Sequence, residues 1–212
     1  MRGVWKMNKI TAVVLASGLS RRMGCNKLLM DIDGVPMIAH VLELLKNFDF
    51  REVLVVTGYP EIKRIAERFG FRTVLNDAPE RGQSHSVVLG VTASPDSGGW
   101  IFFNGDTPRL KTGTIRRILE IAEENKTGSR ERIIVPRYGG CPGQPVYFPH
   151  DFCRELAVLT GDQGGRQVIR SHPLDVYYLD IEDAGQGMDI DTPEDLKNFH
   201  KAEHTKRRRT DE

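Results

Sequence analysis

The sequence lacks the features that would place a protein in a membrane or on a polyanion. No apolar run approaches the roughly 20 residues needed to cross a bilayer. The longest, such as Ala12 to Ala16, are far shorter, and Met1 to Asn8 contains no apolar signal segment. An excess of one charge is absent too. Thirty Lys and Arg against 29 Asp and Glu leave a net charge of +1 over 212 residues, which argues against nucleic acid or an anionic membrane as the main partner. Cysteine is scarce: Cys25, Cys141 and Cys153 are odd in number and form no CxxC pair. Neither a disulfide framework nor a Cys-based zinc site is indicated, and a cytoplasmic protein is the expectation. His40, His150, His172, His200 and His204 show no metal spacing. Internal repeats and low-complexity tracts are missing as well.

What is present is a regular alternation. Ile10 to Ala16 is a continuous β-branched run of the kind that is buried on both faces of a parallel sheet. Helical spacing follows from Pro36 through Leu45, then a strand at Glu52–Thr57, a helix at Glu61–Phe69 and a strand at Phe71–Leu75. Further helices are predicted at Ser84–Val91 and Thr112–Glu124, and further strands at Trp100–Phe103, Ile133–Val135, Val146–Phe148 and Val176–Leu179. Thr192–Phe199 reads as a closing helix, with Thr192 as N-cap and Pro193 in its first turn. This order predicts an α/β fold, a mostly parallel central sheet with helices on both faces in three Rossmann-like layers. Residues 1–200 are expected to form one domain and 201–212 a frayed basic tail carrying Lys206, Arg207, Arg208 and Arg209. Met1 and Met7 are alternative starts.

Ligands in such folds bind beyond the carboxyl ends of the strands, and three segments there carry chemistry. Leu15, Ala16, Ser17 and Gly18 lead out of the first strand into a loop bearing Arg21, Arg22 and Lys27. Small residues let backbone N–H groups approach an anion, and the three cations complete a phosphate cradle. It is neither a Walker loop, lacking GKS or GKT, nor a dinucleotide fingerprint, because Gly18 and Gly24 have the wrong spacing. Asp106, in Asn104-Gly105-Asp106-Thr107-Pro108 after a buried strand, is placed to hold a hard cation over bound phosphates, or else to open a turn before Pro108. Alternation puts Asp189 and Asp191 on one side of an extended segment, either converging on the same cation or beginning a helix. The segments contain no Ser-His or Cys-His nucleophile pair.

Seven segments in order, LASGLSRRMGCNKLL (15–29), GVPMIAHVL (34–42), GQSHSVVLG (82–90), NGDTPRL (104–110), GQPVYF (143–148), GDQGGR (161–166) and DIDTPEDL (189–196), resemble the nucleotidyltransferases of the molybdenum cofactor family. Their cytidylyltransferase branch is nearer than the guanylyltransferase branch. The resemblance runs from Thr11 to about Phe199 and implies transfer of a nucleoside monophosphate, CMP from CTP, to a phosphorylated small-molecule acceptor such as molybdopterin. Pyrophosphate is released with help from Mg²⁺, and a molybdoenzyme or its accessory protein is an implied partner. By position in the motifs, Lys27, Arg22 and Asp106 would be catalytic, and Asp106 and Asp191 would hold the metal, with Asp189 as an alternative ligand. Nucleotide binding would fall to Leu15, Ala16, Ser17, Gly18, Arg22, Lys27, Gly82, Ser84, Ser86 and Asp106. Without the resemblance, Gly82–Ser86 reads as a helix start capped by Ser84.

The acceptor would meet Gln144 and Arg166; on its own, Arg166 reads equally as a solvated charge on a helix starting near Gly165. Three positions depart from the family pattern. Ser17 stands for Ala or Gly, Gln144 for His, and Asn104 for an apolar residue. They bear on donor and acceptor identity rather than on metal and phosphate chemistry. GTP or a sugar phosphate as substrate, or a non-catalytic protein that binds and delivers the cofactor, are the alternatives.

Overall fold

The computed structural model describes residues 9–19, 26–125, 131–190, 192 and 194–195. The central strand β1 (Ile10–Leu15) is followed by a small hairpin of β2 (Asp31–Ile32) and β3 (Val35–Pro36), then α1 (Met37–Leu45). The chain continues through β4 (Glu52–Thr57), α2 (Pro60–Arg68), β5 (Arg72–Leu75), α3 (Gln83–Ala93), β6 (Gly99–Asn104) and α4 (Thr112–Asn125). It ends with β7 (Ile133–Tyr138), β8 (Cys141–Pro142), β9 (Val146–Pro149), α5 (Cys153–Leu156), α6 (Arg166–Ser171) and β10 (Val176–Ile181).

The sheet has the order β10-β7-β9-β6-β1-β4-β5, with β8 paired to β7. β1 lies at its heart, parallel to both β4 and β6. Alternation along β1 explains why it must be covered twice. Ile10, Ala12 and Val14 pack into one core with α1, α2 and α4, while Val13 belongs to the other, with Val87 and Val91 of α3, Leu156 of α5 and Val168 of α6. The predicted α/β architecture, a mostly parallel sheet with helices on both faces, is the one observed. Among the described residues no helix is long and apolar enough to cross a membrane.

Three local features depart from the sequence reading. β9 runs antiparallel between β6 and β7. Pro36 pairs with Asp31 in the hairpin and serves as the N-cap of α1 instead of opening the helix. Its φ of −56° and ψ of 139° are extended values that the pyrrolidine ring accepts. Gly82, at φ +85°, is the N-cap of α3, which leaves Ser84 inside the helix and not at its cap. Thr192 does form the expected cap: its Oγ1 accepts from the Asp195 N–H at 3.1 Å, and its own N–H donates to Asp195 Oδ2 at 2.8 Å. The remainder of the expected closing helix and the 201–212 tail lie outside the described residues.

Candidate active site

A cleft of about 710 Å³ opens at the carboxyl ends of β1 and β6. Its floor is set by how β1 terminates. The Ala16 N–H donates to the Val56 carbonyl at 2.9 Å and Ser17 Oγ to the same oxygen at 3.0 Å, while the Gly105 N–H donates to the Leu15 carbonyl at 3.2 Å. The chain therefore leaves the sheet held to β4 on one side and β6 on the other. Ser17 is buried with its hydroxyl spent on Val56, whereas a Cβ at Gly18 would meet nothing within 4 Å. Open space over the Gly18 backbone is what an approaching ligand needs.

Lys27 sits in a single 3-10 turn, Lys27–Leu29, capped by Asn26, whose Oδ1 accepts from the Leu28 N–H at 3.1 Å. Its ammonium lies 2.5 Å from Asp106 Oδ2, and both side chains are only 14% exposed. Two charges so far from water must be compensated, and each is the other's counterion. The second oxygen, Asp106 Oδ1, is buried with no hydrogen-bond partner among the described residues. Thr107 Oγ1, donating to the Asn104 carbonyl at 3.1 Å, closes the turn that carries Asp106. The Ile190 N–H donates to the Asp106 carbonyl at 3.3 Å and brings Asp189 to the same cleft. Arg21, Arg22 and Asp191, expected at this site, lie outside the described residues.

The opposite wall is the turn Pro79–Arg81 with Gly82, Gln83 and Ser86. Ser86 is oriented by Asn76, which donates from Nδ2 to Ser86 Oγ at 3.0 Å and is itself buried. Ser84 is off this wall, fully buried behind it. The third side is Gly161, Asp162 and Arg166. Next to the cleft lies a smaller cavity of about 60 Å³ over an apolar floor of Phe102, Val146 and Phe148. Gln144 reaches only this cavity, while Leu15, Gln83 and Arg166 line both. The predicted residues Leu15, Ser17, Gly18, Lys27, Gly82, Ser86 and Asp106 thus share the cleft, Ala16 is fully buried and outside its lining, Arg166 lines both the cleft and the smaller cavity, and Gln144 lines only the smaller cavity.

Sequence reasoning missed Tyr138 and Asn76. Tyr138 Oη donates to the Gln144 carbonyl at 2.7 Å, and its ring fills the space that side chains at Gly143 and Gly187 would take. Burial, reinforced by the Asp189 carboxylate, pushes its phenol well above the ordinary tyrosine range, so it is a neutral donor. Only the neighbouring glycines hint at its position, and only once the fold is known. Asn76 carries no sequence signal; only its burial between β5 and the 79–81 turn marks it.

Among the described lining residues of the cleft, three cations (Lys27, Arg81, Arg166) face four carboxylates (Glu80, Asp106, Asp162, Asp189). Residues 12–176 match the model of the MobA-like NTP transferase domain family. The purine catabolism protein PucB of Bacillus subtilis is 31% identical over 91% of this chain and 97% of its own. A 2-C-methyl-D-erythritol 4-phosphate cytidylyltransferase of Lachnoclostridium phytofermentans is 26% identical over 90% and 94%. A probable molybdenum cofactor guanylyltransferase of Pyrococcus horikoshii is also 26% identical, over 82% and 88%. The crystal structure of Rv0371c from Mycobacterium tuberculosis superposes with a TM-score of 0.74 at 26% identity, covering 90% of this chain and 96% of that one.

Proposed function

The chain belongs to the MobA-like NTP transferase domain family, a family of nucleotidyltransferases, and from that premise we propose that it transfers CMP from CTP to a phosphorylated acceptor of the molybdopterin kind. One observation carries the reading: Lys27 and Asp106 are paired at the centre of an open cleft, with an uncommitted carboxylate oxygen beside them. In the proposed reaction an oxygen of the acceptor phosphate forms a bond to the α-phosphorus. The bond from that phosphorus to the α,β-bridging oxygen breaks, and its electron pair leaves with pyrophosphate.

Nothing covalent is asked of the protein, so positioning and charge stabilisation supply the rate. Lys27 would lie against the triphosphate where charge develops, and Arg22 would hold its phosphates. Arg166, on the border of both cavities, would hold the acceptor phosphate by a forked contact.

The donor set suits Mg²⁺. Asp106 Oδ1 is a hard oxygen with no other partner among the described residues, and Asp189 lines the same cleft. Among the described residues no group of three or more His, Cys, Asp or Glu gathers as a metal cage. Mg²⁺ is commonly held by one or two carboxylates together with phosphate oxygens. A triphosphate carries several negative charges, and a divalent ion arriving with it would offset part of them beside these carboxylates. Asp106 and Asp191 would hold that ion, with Asp189 alongside, and the ion would neutralise charge on the α- and β-phosphates.

The choice of CTP and of the acceptor class both rest on the resemblance of the whole motif series to the cytidylyltransferase branch, from which Ser17 departs. A thermal-shift screen of CTP, GTP, ATP and UTP, with and without Mg²⁺, tests the donor. A Mg²⁺-dependent shift with CTP is expected, and a larger one with GTP would move the donor to the guanylyl branch. Lys27→Ala and Asp106→Ala should each lower pyrophosphate release by about 10²–10³-fold while remaining folded. Wild-type turnover in both would overturn the site, and tight cofactor binding with no pyrophosphate release would mark a carrier.

A further inference from the structure

The first turn of α3 and segment 160–167 are joined more closely than two walls of a cleft need to be. Ser84, the second residue of α3, is fully buried, and its Oγ accepts from the Gly164 N–H at 3.1 Å and from Gln167 Nε2 at 3.2 Å. The same Gln167 amide donates to the Thr160 carbonyl at 2.6 Å. In the other direction, the Ser84 N–H donates to the Gly161 carbonyl at 3.2 Å and the Gln83 N–H to Asp162 Oδ1 at 3.0 Å. The two segments meet at Gly82, where a Cβ would stand 2.7 Å from the Gly161 carbonyl oxygen. Arg166 begins α6 directly after this loop, and Gln83 and Arg166 both border the two cavities.

We propose that Ser84 is a positioning residue whose hydroxyl couples the two halves of the site, so that a nucleoside triphosphate held against the Gly82–Ser86 wall fixes Arg166 for the phosphorylated acceptor. The proposal rests on the nucleotide-transfer reading above. Its physical basis is the composition of the loop. Gly161, Gly164 and Gly165 leave the backbone with unusual freedom, and freedom that is not removed by local packing must be removed by a neighbour. Here the neighbour is α3, and Ser84 Oγ is the acceptor at which two donors of the loop and α6 converge. Removing that oxygen takes the acceptor from the inward-facing Gly164 N–H, leaves Gln167 Nε2 with the Thr160 carbonyl alone, and takes nothing away from the cleft lining. Coupling of this kind is reciprocal: whatever the donor does for the acceptor, the acceptor does for the donor, typically by 5- to 150-fold in affinity.

Hydrogen exchange of the full chain, with and without the triphosphate selected by the thermal-shift screen and MgCl₂, tests the coupling. In the wild type the nucleotide should slow exchange across 160–171 by at least about 5-fold, the low end of such couplings. Ser84→Ala should bind the nucleotide within about 3-fold of wild type, since under the proposal Ser84 makes no contact with it, yet transmit none of that slowing; the low end of a direct coupling would already exceed this margin. Ser84→Thr should restore the slowing. Gln167→Ala, which removes one of the two donors from outside the cleft, should transmit part of it and decides the matter if Ser84→Ala does not fold. Undiminished slowing in Ser84→Ala, or a loss of nucleotide affinity beyond about 10-fold, the scale of a lost direct contact, would overturn the proposal. A wild type that binds nucleotide without slowing 160–171 overturns the coupling alone. A wild type that binds none of the four triphosphates overturns the transfer reading and the coupling with it.

Discussion

Gly82 holds φ +85° with the Gly161 carbonyl where its Cβ would be. Gly82→Ala therefore meets backbone strain and a backbone clash together, and is expected to cost about 1–3 kcal/mol. A urea titration at constant slope would show the midpoint fall. Lys27 and Asp106 answer differently to substitution. Lys27→Ala leaves a carboxylate 14% exposed without that ammonium, whereas Asp106→Asn with Lys27 retained leaves the ammonium beside a neutral amide. Both should lower the melting temperature, and the double variant Lys27→Met/Asp106→Leu should recover part of the loss while remaining inactive. The two residues are legible in the sequence because each follows a buried strand or its loop directly. Ser84 was not legible in its actual setting. The donors to its hydroxyl come from Gly164 and Gln167, about 80 positions further along, and no local pattern reports a partner at that distance.

Helix α3 packs so closely on β1 that a Cβ at Gly90 would stand 2.6 Å from Val13 Cγ1. Alanine improves helix propensity by about 1 kcal/mol over glycine, but overpacking a core contact costs about 1–3 kcal/mol, so Gly90→Ala should lower the melting temperature. Gly113→Ala in α4, where a Cβ meets nothing within 4 Å, should leave it unchanged or raise it. Element boundaries were readable where burial is continuous: β4 spans Glu52–Thr57 as its apolar run predicts. They were unreadable at β7, whose expected span of Ile133–Val135 extends to Tyr138 through Pro136. Pro136 ordinarily argues against a strand interior. It is accepted because it stands where antiparallel pairing passes from β9, at Ile134, to β8, at Arg137.

Across the molecule, acidity at the sheet's centre sets a limit at high pH. Tyr147 in β9 is fully buried and donates to Glu131 Oε2 at 3.3 Å; burial and that carboxylate raise its phenol far above the ordinary value, in the same sense as Tyr138. A raised acid is protonated in the fold, so its contribution is present below the unfolded value of about 10 and is lost as pH climbs beyond it. Urea midpoints measured from pH 8 to 11 should fall above pH 10, and less steeply in Tyr147→Phe. The layered plan was visible in the alternation of runs and helical spacing, but strand direction was not, since Val146–Phe148 reads the same in either sense. That reversed strand has a consequence for how the protein can change. β9 begins opposite Phe102, at the end of the sheet where β6 and β7 finish. Residues 139–145 therefore reach the smaller cavity through a short hairpin, with no helix laid across the sheet to fix their length. The cavity's rim can be lengthened, shortened or rewritten while the pairing of Gly99 with Pro149 through Phe102 with Val146 stays in register. What enters beside the cleft is thus free to diverge between descendants of this chain without disturbing the machinery at Lys27 and Asp106.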